Sequence, residues 1–396
     1  MLRPDLLARL ADAHAQRART NLLRRIRTVE RADATHIVIG RKSLLDFSSN
    51  DYLGLARHPK LSEALTRAAT QWGVGARAAH LLGGHCEEHA MLEEKLATWT
   101  GRERALLFST GYMANLGVLG ALLGTDAVCV QDKLNHASLI DAAHLAGCVL
   151  ARYRHCDTAS ARRQLQARAG VPALLASDAV FSMDGDIAPL AELATLCKTQ
   201  NATLMIDDAH GFGVLGADGA GSLAEAGLSQ DNAPVLMATL GKALGVAGAF
   251  VAGSATLIDG LIQFARSYIY TTAMPPALAA AANAAVGLAR ADGELRARLH
   301  QRIAQFREGA SRRGIALLPS RTAIQPLPVG SNALALQLAR RLQDAGFFLA
   351  AIRPPSVPAS TGARLRVTLS AAHAEADVEH LLDALASAFA HVRKMA

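Results

Sequence analysis

Residues 235–253 read VLMATLGKALGVAGAFVAG, two short apolar runs joined by a glycine-rich stretch that holds one ammonium group. Runs of four or five apolar residues without polar alternation are too short for helices. They read as strands buried on both faces, as in a parallel sheet. Lys242 is the sole charged side chain between Asp231 and Asp259. A lysine that snorkels to the surface sits among polar neighbours, and those are missing here. Desolvation among apolar groups disfavours the ammonium form, which suits the residue to act as an amine nucleophile or base.

Working outward from this segment, ALLFS, AVCVQD, PALLASDAVF, TLMIDD, VLMATL and AFVAG alternate with helical patterns from about residue 102 to 270. That spacing predicts a doubly wound α/β domain on a mainly parallel sheet. Residues 58–100 read as helical around the loop WGVGARAAHLLGG. From Pro275 a long helical pattern, interrupted near Asp292 and Gly293, leads into a smaller α+β region that ends in a helix. The expected division is an N-terminal helical segment over 1–45, a large domain over 46–285 and a small C-terminal domain over 286–396.

Composition excludes several classes of function. With 51% hydrophobic and 19% charged residues in 396, the chain is an ordinary globular one. The formal charge of +7 comes from 41 basic against 34 acidic residues, a mild excess that argues against nucleic acid as a partner. Its densest basic cluster, Arg17, Arg19, Arg24, Arg25 and Arg27, falls in an expected amphipathic helix. The five cysteines form no CxxC pair, so a reducing cytoplasm is expected, with neither a disulfide framework nor a zinc knuckle. No stretch reads as a signal peptide or a membrane span.

Two motif-like strings are discounted. GFGVLG (211–216) matches a dinucleotide-binding pattern, but ADGAGSLAEAG cannot start a long helix directly after it, so no helix terminus is there to carry a pyrophosphate. HCEEH (85–89) matches a zinc-hydrolase pattern, yet it runs into EEHAMLEEKLATW, an amphipathic surface-helix pattern. No metal is expected.

A third constellation is spread along the chain at one structural address. Ser109, Thr110, Gly111 and Tyr112 follow ALLF; His136 follows AVCVQD; Ser182 follows LLASDAVF; Asp207 and His210 follow TLMI; Thr239 and Lys242 follow VLMA. In an open α/β sheet, ligands bind beyond the carboxyl ends of the strands, so these side chains are expected to converge. Gly111 opens an apolar helix whose free N–H groups suit a phosphate. Asp207, after four apolar residues, needs a cationic or hydrogen-bonding partner, and a protonated ring nitrogen would serve. His210 reaches the same ring, and His136 offers a flat stacking surface. A phosphate, a ring favouring a protonated nitrogen and an imine-forming lysine together describe pyridoxal 5'-phosphate (PLP).

These residues carry a resemblance. TLGKALGVAGAF is similar to the lysine segment of the α-oxoamine synthases, PLP enzymes of the type I aminotransferase fold that condense an amino acid with an acyl thioester and lose CO2. The resemblance runs from about residue 20 to 390. It implies a PLP-dependent transferase type I fold with a seven-stranded large-domain sheet. LDFSSNDYLGLARHP, DKLNHASLIDAA, FSMDGDIAPL, DDAHGFGVLG and AIRPPSVPASTGARLRVTLSA are most similar to family members that join L-alanine to a pimeloyl group on CoA or on a carrier protein. Members using glycine or serine are the alternative. By the same resemblance Lys242 carries the cofactor, Asp207 pairs with the ring nitrogen, His210 and Ser182 sit by the ring hydroxyl and His136 stacks on the ring. Gly111, Tyr112 and Thr239 complete the cradle, and Thr271 and Thr272 reach the phosphate in a partner subunit of a homodimer with shared sites. Arg353 binds the amino-acid carboxylate; Arg24, Asn50, His136 and Ser356 lie along the substrate path. The loop over 73–89 departs from the family pattern at Ala78, Ala79, His80 and Leu82.

Overall fold

The computed structural model describes residues 3–395. The chain forms two compact units. One comprises Asn50–Ser182 and Asp186–Leu299; the other comprises the described residues up to Ser49, Met183–Gly185, and the described residues from His300 onward.

The first unit is built on seven strands: β1 (Arg104–Phe108), β2 (Val128–Asp132), β3 (Val149–Tyr153), β4 (Ala173–Asp178), β5 (Thr203–Asp207), β6 (Val235–Thr239) and β7 (Ala249–Gly253). Their spatial order is β1-β7-β6-β5-β4-β2-β3. The pairs β2/β3, β2/β4, β4/β5 and β5/β6 are parallel, and β7 runs antiparallel to both β6 and β1. The expected seven-stranded, mainly parallel sheet is therefore present. The apolar runs quoted from the sequence become almost wholly buried strands, because helices cover both faces. Within β2, Cys129 packs with Leu106, Val118 and Leu139 on one side, while Val128 and Val130 pack with Leu175, Leu193 and Leu196 on the other. Edge strand β3 is the one no apolar run announces. Its alternating exposure admits Arg152 and leaves Val149 exposed, which dilutes the signal.

Two helices begin where strands of this sheet end. α1 (Gly111–Leu122) follows β1 with Thr110 as its N-cap, Oγ1 accepting from the Met113 N–H at 3.2 Å. α2 (Ala137–Ala146) follows β2 and is capped by His136. Residues 208–221 form successive turns before a four-residue helix at Ser222–Glu225, so no long helix follows GFGVLG. The long pattern after Pro275 is two helices, Pro276–Ala291 and Gly293–Arg312, broken at Asp292.

The second unit holds a four-stranded sheet, Arg31–Ala32, His36–Ile39, Lys42–Asp46 and Phe347–Phe348, and a three-stranded one, Ile324–Gly330, Ala363–Thr368 and Ala350–Ile352. Phe347 pairs beside Leu45, so segments distant in sequence share one sheet. The N-terminal helix spans Leu6–Arg19. Arg24, Arg25 and Arg27 thus lie beyond it, and only Arg17 and Arg19 fall within it.

The segment around Lys242 is held by close backbone packing. Gly245 has φ +67°, and a Cβ there would lie 2.3 Å from the Ala56 backbone nitrogen. That nitrogen is fixed in turn, donating to Asp51 Oδ2 at 3.0 Å. Gly245→Ala should cost about 1–3 kcal/mol through left-handed strain and overlap. A denaturant midpoint equal to that of the unsubstituted protein would refute this packing account.

Candidate active site

The carboxyl ends of β2, β4, β5 and β6, with the start of α1, enclose a cavity of about 200 Å³. Its walls include Gly111, Tyr112, His136, Ser182, Asp207, His210, Thr239 and Lys242. Eight residues singled out in the sequence therefore converge. They are joined by six that sequence reasoning did not single out: Asn115, Ser138, Asp178, Val180, Ala209 and Met237.

Asp207 is 5% exposed. Its Oδ2 accepts from Asn115 Nδ2 at 2.8 Å and its Oδ1 from the Ala209 N–H at 3.1 Å. Asn115 Nδ2 also donates to Ser138 Oγ at 2.8 Å, and that hydroxyl lies 2.8 Å from His136 Nδ1. A hydrogen-bonded chain thus links the end of β5 through α1 and α2 to the imidazole in the cavity wall. Burial lowers the His136 pKa; Asp207 opposes that and the Lys242 charge reinforces it, so the ring is held neutral.

Parallel register places Asp178 beside Asp207. Asp178 Oδ2 accepts the His136 N–H at 3.1 Å, while its Oδ1 is buried without a hydrogen-bond partner, as is Asn115 Oδ1. Burial pushes the Asp178 carboxyl well above the usual carboxylate range; Asp207 adds to the rise and Lys242 opposes it.

Lys242 Nζ lies 2.8 Å from His210 Nε2, and Tyr52 Oη lies 2.6 Å from His210 Nδ1. With the lysine donating to Nε2, Nδ1 carries the ring proton and donates to the Tyr52 hydroxyl. That hydroxyl donates on to Asn50 Oδ1 at 3.3 Å. Tyr52 is a further residue missed by the sequence reading, although it stands two places from Asn50 in DFSSNDYLG. Thr239 Oγ1 donates to Gly248 O at 2.9 Å and accepts from the Gly241 N–H at 3.2 Å, bracing the turn that presents Lys242.

The remaining expected residues lie outside the cavity lining. Thr272 forms a β-bridge with Ala79, and its carbonyl accepts from Ser109 Oγ at 3.4 Å; Thr271 stands beside it. In the second unit, Arg24 Nη2 donates to Ser356 Oγ at 3.2 Å, and Arg353 donates to the carbonyls of Asn21 and Leu23 at 2.5 and 3.3 Å. These three residues are brought together with one another. Of HCEEH, His89 Nε2 donates to Met274 O at 2.6 Å, while its Nδ1 accepts from the Cys86 N–H at 3.1 Å as a helix cap. Both ring nitrogens are engaged, so the pair His85 and His89 has no shared lone-pair arrangement for zinc.

The family described as aminotransferase class I and II matches residues 42–385. The chain belongs to that family. Its curated relatives include an 8-amino-7-oxononanoate synthase from Thioalkalivibrio sulfidiphilus, 53% identical over 371 residues covering 93% of this chain and 94% of the relative. Another 8-amino-7-oxononanoate synthase, from Stutzerimonas stutzeri, is 51% identical over 386 residues, covering 98% and 97%. Among solved structures, serine palmitoyltransferase from S. paucimobilis with bound PLP–myriocin aldimine superposes with a TM-score of 0.93 at 27% identity over 98% of this chain and 99% of that one. The crystal structure of 8-amino-7-oxononanoate synthase from Francisella tularensis gives 0.77 at 30% identity over 88% and 99%. The resemblance to α-oxoamine synthases carried by the sequence is thus borne out. Among the described residues no helix is long and apolar enough to cross a membrane.

A carboxyl whose pKa rises on folding loses stabilisation as pH climbs from the ordinary carboxylate range through the raised value, because the folded state binds the proton more tightly. Asp178→Asn cannot lose that proton. The substitution should flatten the decline of unfolding free energy as pH rises above the ordinary carboxylate range, measured by urea unfolding. An unchanged slope would sink the assignment of a neutral Asp178.

Proposed function

We propose that the protein is a PLP-dependent 8-amino-7-oxononanoate synthase, condensing L-alanine with a pimeloyl thioester to give 8-amino-7-oxononanoate, CO2 and the free thiol. The observation that carries the reading is Lys242 and the buried Asp207 facing one cavity at the strand ends, in a chain whose relatives at 51–53% identity bear that name.

The residues fit the cofactor. A buried carboxylate already braced by two donors lacks only a cation. The first N–H groups of α1 have no partner inside the helix and suit a phosphate. The orphaned Oδ1 of Asn115 offers a further place for a donor. PLP, when bound, supplies an electrophilic aldehyde and an electron-accepting ring.

In this reading Asp207 holds a proton on the ring nitrogen, and Asn115 and the Ala209 N–H keep its carboxyl aimed. His136, neutral and tied through Ser138 to Asn115, presents a flat stacking partner. Ser182 and His210 serve the ring hydroxyl; Gly111, Tyr112 and Thr239 serve the phosphate. Lys242 holds the cofactor and, once released, takes the Cα proton of alanine at Nζ and later returns one. The accepting imidazole of His210, anchored by Tyr52, orients that amine. Arg353 receives the amino-acid carboxylate, with Arg24, Asn50 and Ser356 along the substrate path. A homodimer in which Thr271 and Thr272 serve a neighbouring site is supported by exposed Val74, Leu82 and Tyr270 in adjoining loops. The five thiols form no disulfide, in keeping with a cytoplasmic enzyme.

Purified protein with PLP, L-alanine and pimeloyl-CoA should yield 8-amino-7-oxononanoate by mass spectrometry, whereas glycine and serine should give little product. Turnover preferring glycine or serine would overturn the substrate assignment. Lys242→Ala should lower turnover at least 10³-fold, on the order expected for losing a covalent and acid–base group, with thermal unfolding unchanged. Asp207→Asn should retain the cofactor yet lose most activity; wild-type turnover in either variant is the refuting result.

A further inference from the structure

A second cluster of ligating side chains lies at the same edge of the sheet, away from the cavity. Asp132 ends β2, His155 and Cys156 follow β3, and Asp186 lies in the turn after β4. Asp132 is fully buried: Oδ1 accepts from His155 Nδ1 at 3.0 Å and from the Leu134 N–H at 2.8 Å, while Oδ2 accepts from the Cys156 N–H at 2.8 Å. The opposite ring nitrogen, His155 Nε2, faces Asp186 Oδ2 at 2.7 Å. Cys156 Sγ stands 3.8 Å from both of those atoms. Asp186 Oδ1 is buried and has no hydrogen-bond partner.

We propose that this cluster is a zinc site, with His155 Nε2, the Asp186 carboxylate and Cys156 Sγ as ligands and Asp132 as the outer carboxylate that orients the imidazole. Zinc–ligand bonds of about 2.0–2.3 Å place neighbouring tetrahedral donors roughly 3.5 Å apart. The two sulfur separations already match, and the nitrogen–oxygen pair needs to open by less than about 1 Å. A histidine that gives one nitrogen to the metal and the other to a carboxylate is the usual supporting arrangement. The mixed nitrogen, sulfur and oxygen donors favour zinc over calcium or magnesium. His155 and Asp186 are each 28% exposed, leaving room for a water as fourth ligand.

Without metal, the space between Nε2 and Asp186 holds a proton, making an imidazolium between two carboxylates. Zinc replaces that proton and the thiol proton, and both go to solvent. Two carboxylates, an imidazolium and a thiol become two carboxylates, a neutral imidazole, a thiolate and a dication, so the cluster keeps one negative charge throughout. The charge balance of the surroundings is therefore unaltered by the exchange. Occupancy ties the segments after β2 and β3 to the turn after β4. Phe181 in that turn packs edge-on against His155, with centroids 4.4 Å apart at 86°, and the next residue, Ser182, lines the cavity. The site is structural, bracing one wall of the cavity.

The PLP-loaded enzyme, stripped with a chelator and incubated with zinc or cobalt(II), provides the test. One metal per chain should survive gel filtration, zinc should raise the unfolding temperature, and cobalt(II) should give the intense near-ultraviolet absorption of a thiolate complex. Cys156→Ser should abolish that band. Asp186→Asn should weaken zinc binding at least 10-fold, and Asp132→Asn should weaken it by about 10–100-fold, as loss of an outer carboxylate does. Circular dichroism and turnover without added metal report that the variants fold. Substoichiometric zinc in the unsubstituted enzyme at micromolar metal would overturn the proposal. So would equal zinc retention in folded Cys156→Ser and Asp186→Asn, which would place the metal elsewhere.

Discussion

A carboxylate placed at the buried end of a parallel strand is unstable there unless donors surround it, and much of the cavity's organisation answers that requirement at Asp207. Asn115 reaches it from α1 and the Ala209 N–H reaches it from its own turn. Asn115 can do so because α1 starts directly at the end of β1, fixed by the Thr110 cap. The amide's second donor then holds Ser138, which holds His136. One charge thus dictates the side chains of three separate elements. Its remaining deficit is a cation, which is the property that makes the cavity suited to a protonated heterocycle.

Much of this is legible in the sequence because two periodicities coincide. Strands covered on both faces must be apolar throughout, so the first polar residue after each run marks the sheet edge, and Asp207 and Thr239 stand out in that way, with His136 a few residues beyond the end of its strand. Asn115 and Ser138 escape because they sit inside helices, where a single polar residue reads as surface decoration until its partner is known. Asn115 is nevertheless the sole side chain with an amide in the apolar helix GYMANLGVLGAL, a buried polar residue that needs a partner. Asp178 does stand at a strand end, but in LLASDAVF the apolar run resumes beyond it and moves the apparent edge to Ser182. Tyr52 is beyond reach for a different reason: its partner His210 is 158 residues away, and no local pattern encodes that pairing.

The HCEEH loop illustrates how burial decides between readings that sequence leaves equal. His80 and His85 touch through their Nδ1 atoms at 3.0 Å, and His80 stacks on Tyr268. Burial, then the neighbouring imidazoles, pushes His80 down to about 3, and burial lowers His85 and His89 as well. Burial also pushes Glu93, beside them, up to about 7. A zinc hydrolase needs an ionised glutamate and free imidazole lone pairs. Here the imidazoles are neutral and spent on one another, on a helix cap and on the Met274 carbonyl, so packing has consumed the donors that the motif advertises. At His155 both ring nitrogens are engaged as well, but by the carboxylates of Asp132 and Asp186, so a metal can take the place of the Nε2 proton while Asp186 stays as a ligand.

The pairing of Asp178 with Asp207 shows why neighbouring strands of equal chemistry end in different roles. Both carboxyls terminate parallel strands in register, and both are nearly inaccessible. What separates them is the supply of donors. Asp207 receives a side-chain amide and a backbone N–H, whereas Asp178 receives one N–H on Oδ2 and nothing on Oδ1. With fewer donors, and with Asp207 beside it, Asp178 is the one whose carboxyl burial pushes well above the usual carboxylate range. A neutral Asp178 is then a hydrogen-bond donor in a wall otherwise rich in acceptors, and it leaves the whole attraction of Asp207 available to a cation. Donor count, set by where α1 and the loop after β5 begin, thereby assigns function to residues that the sheet alone treats as equivalent.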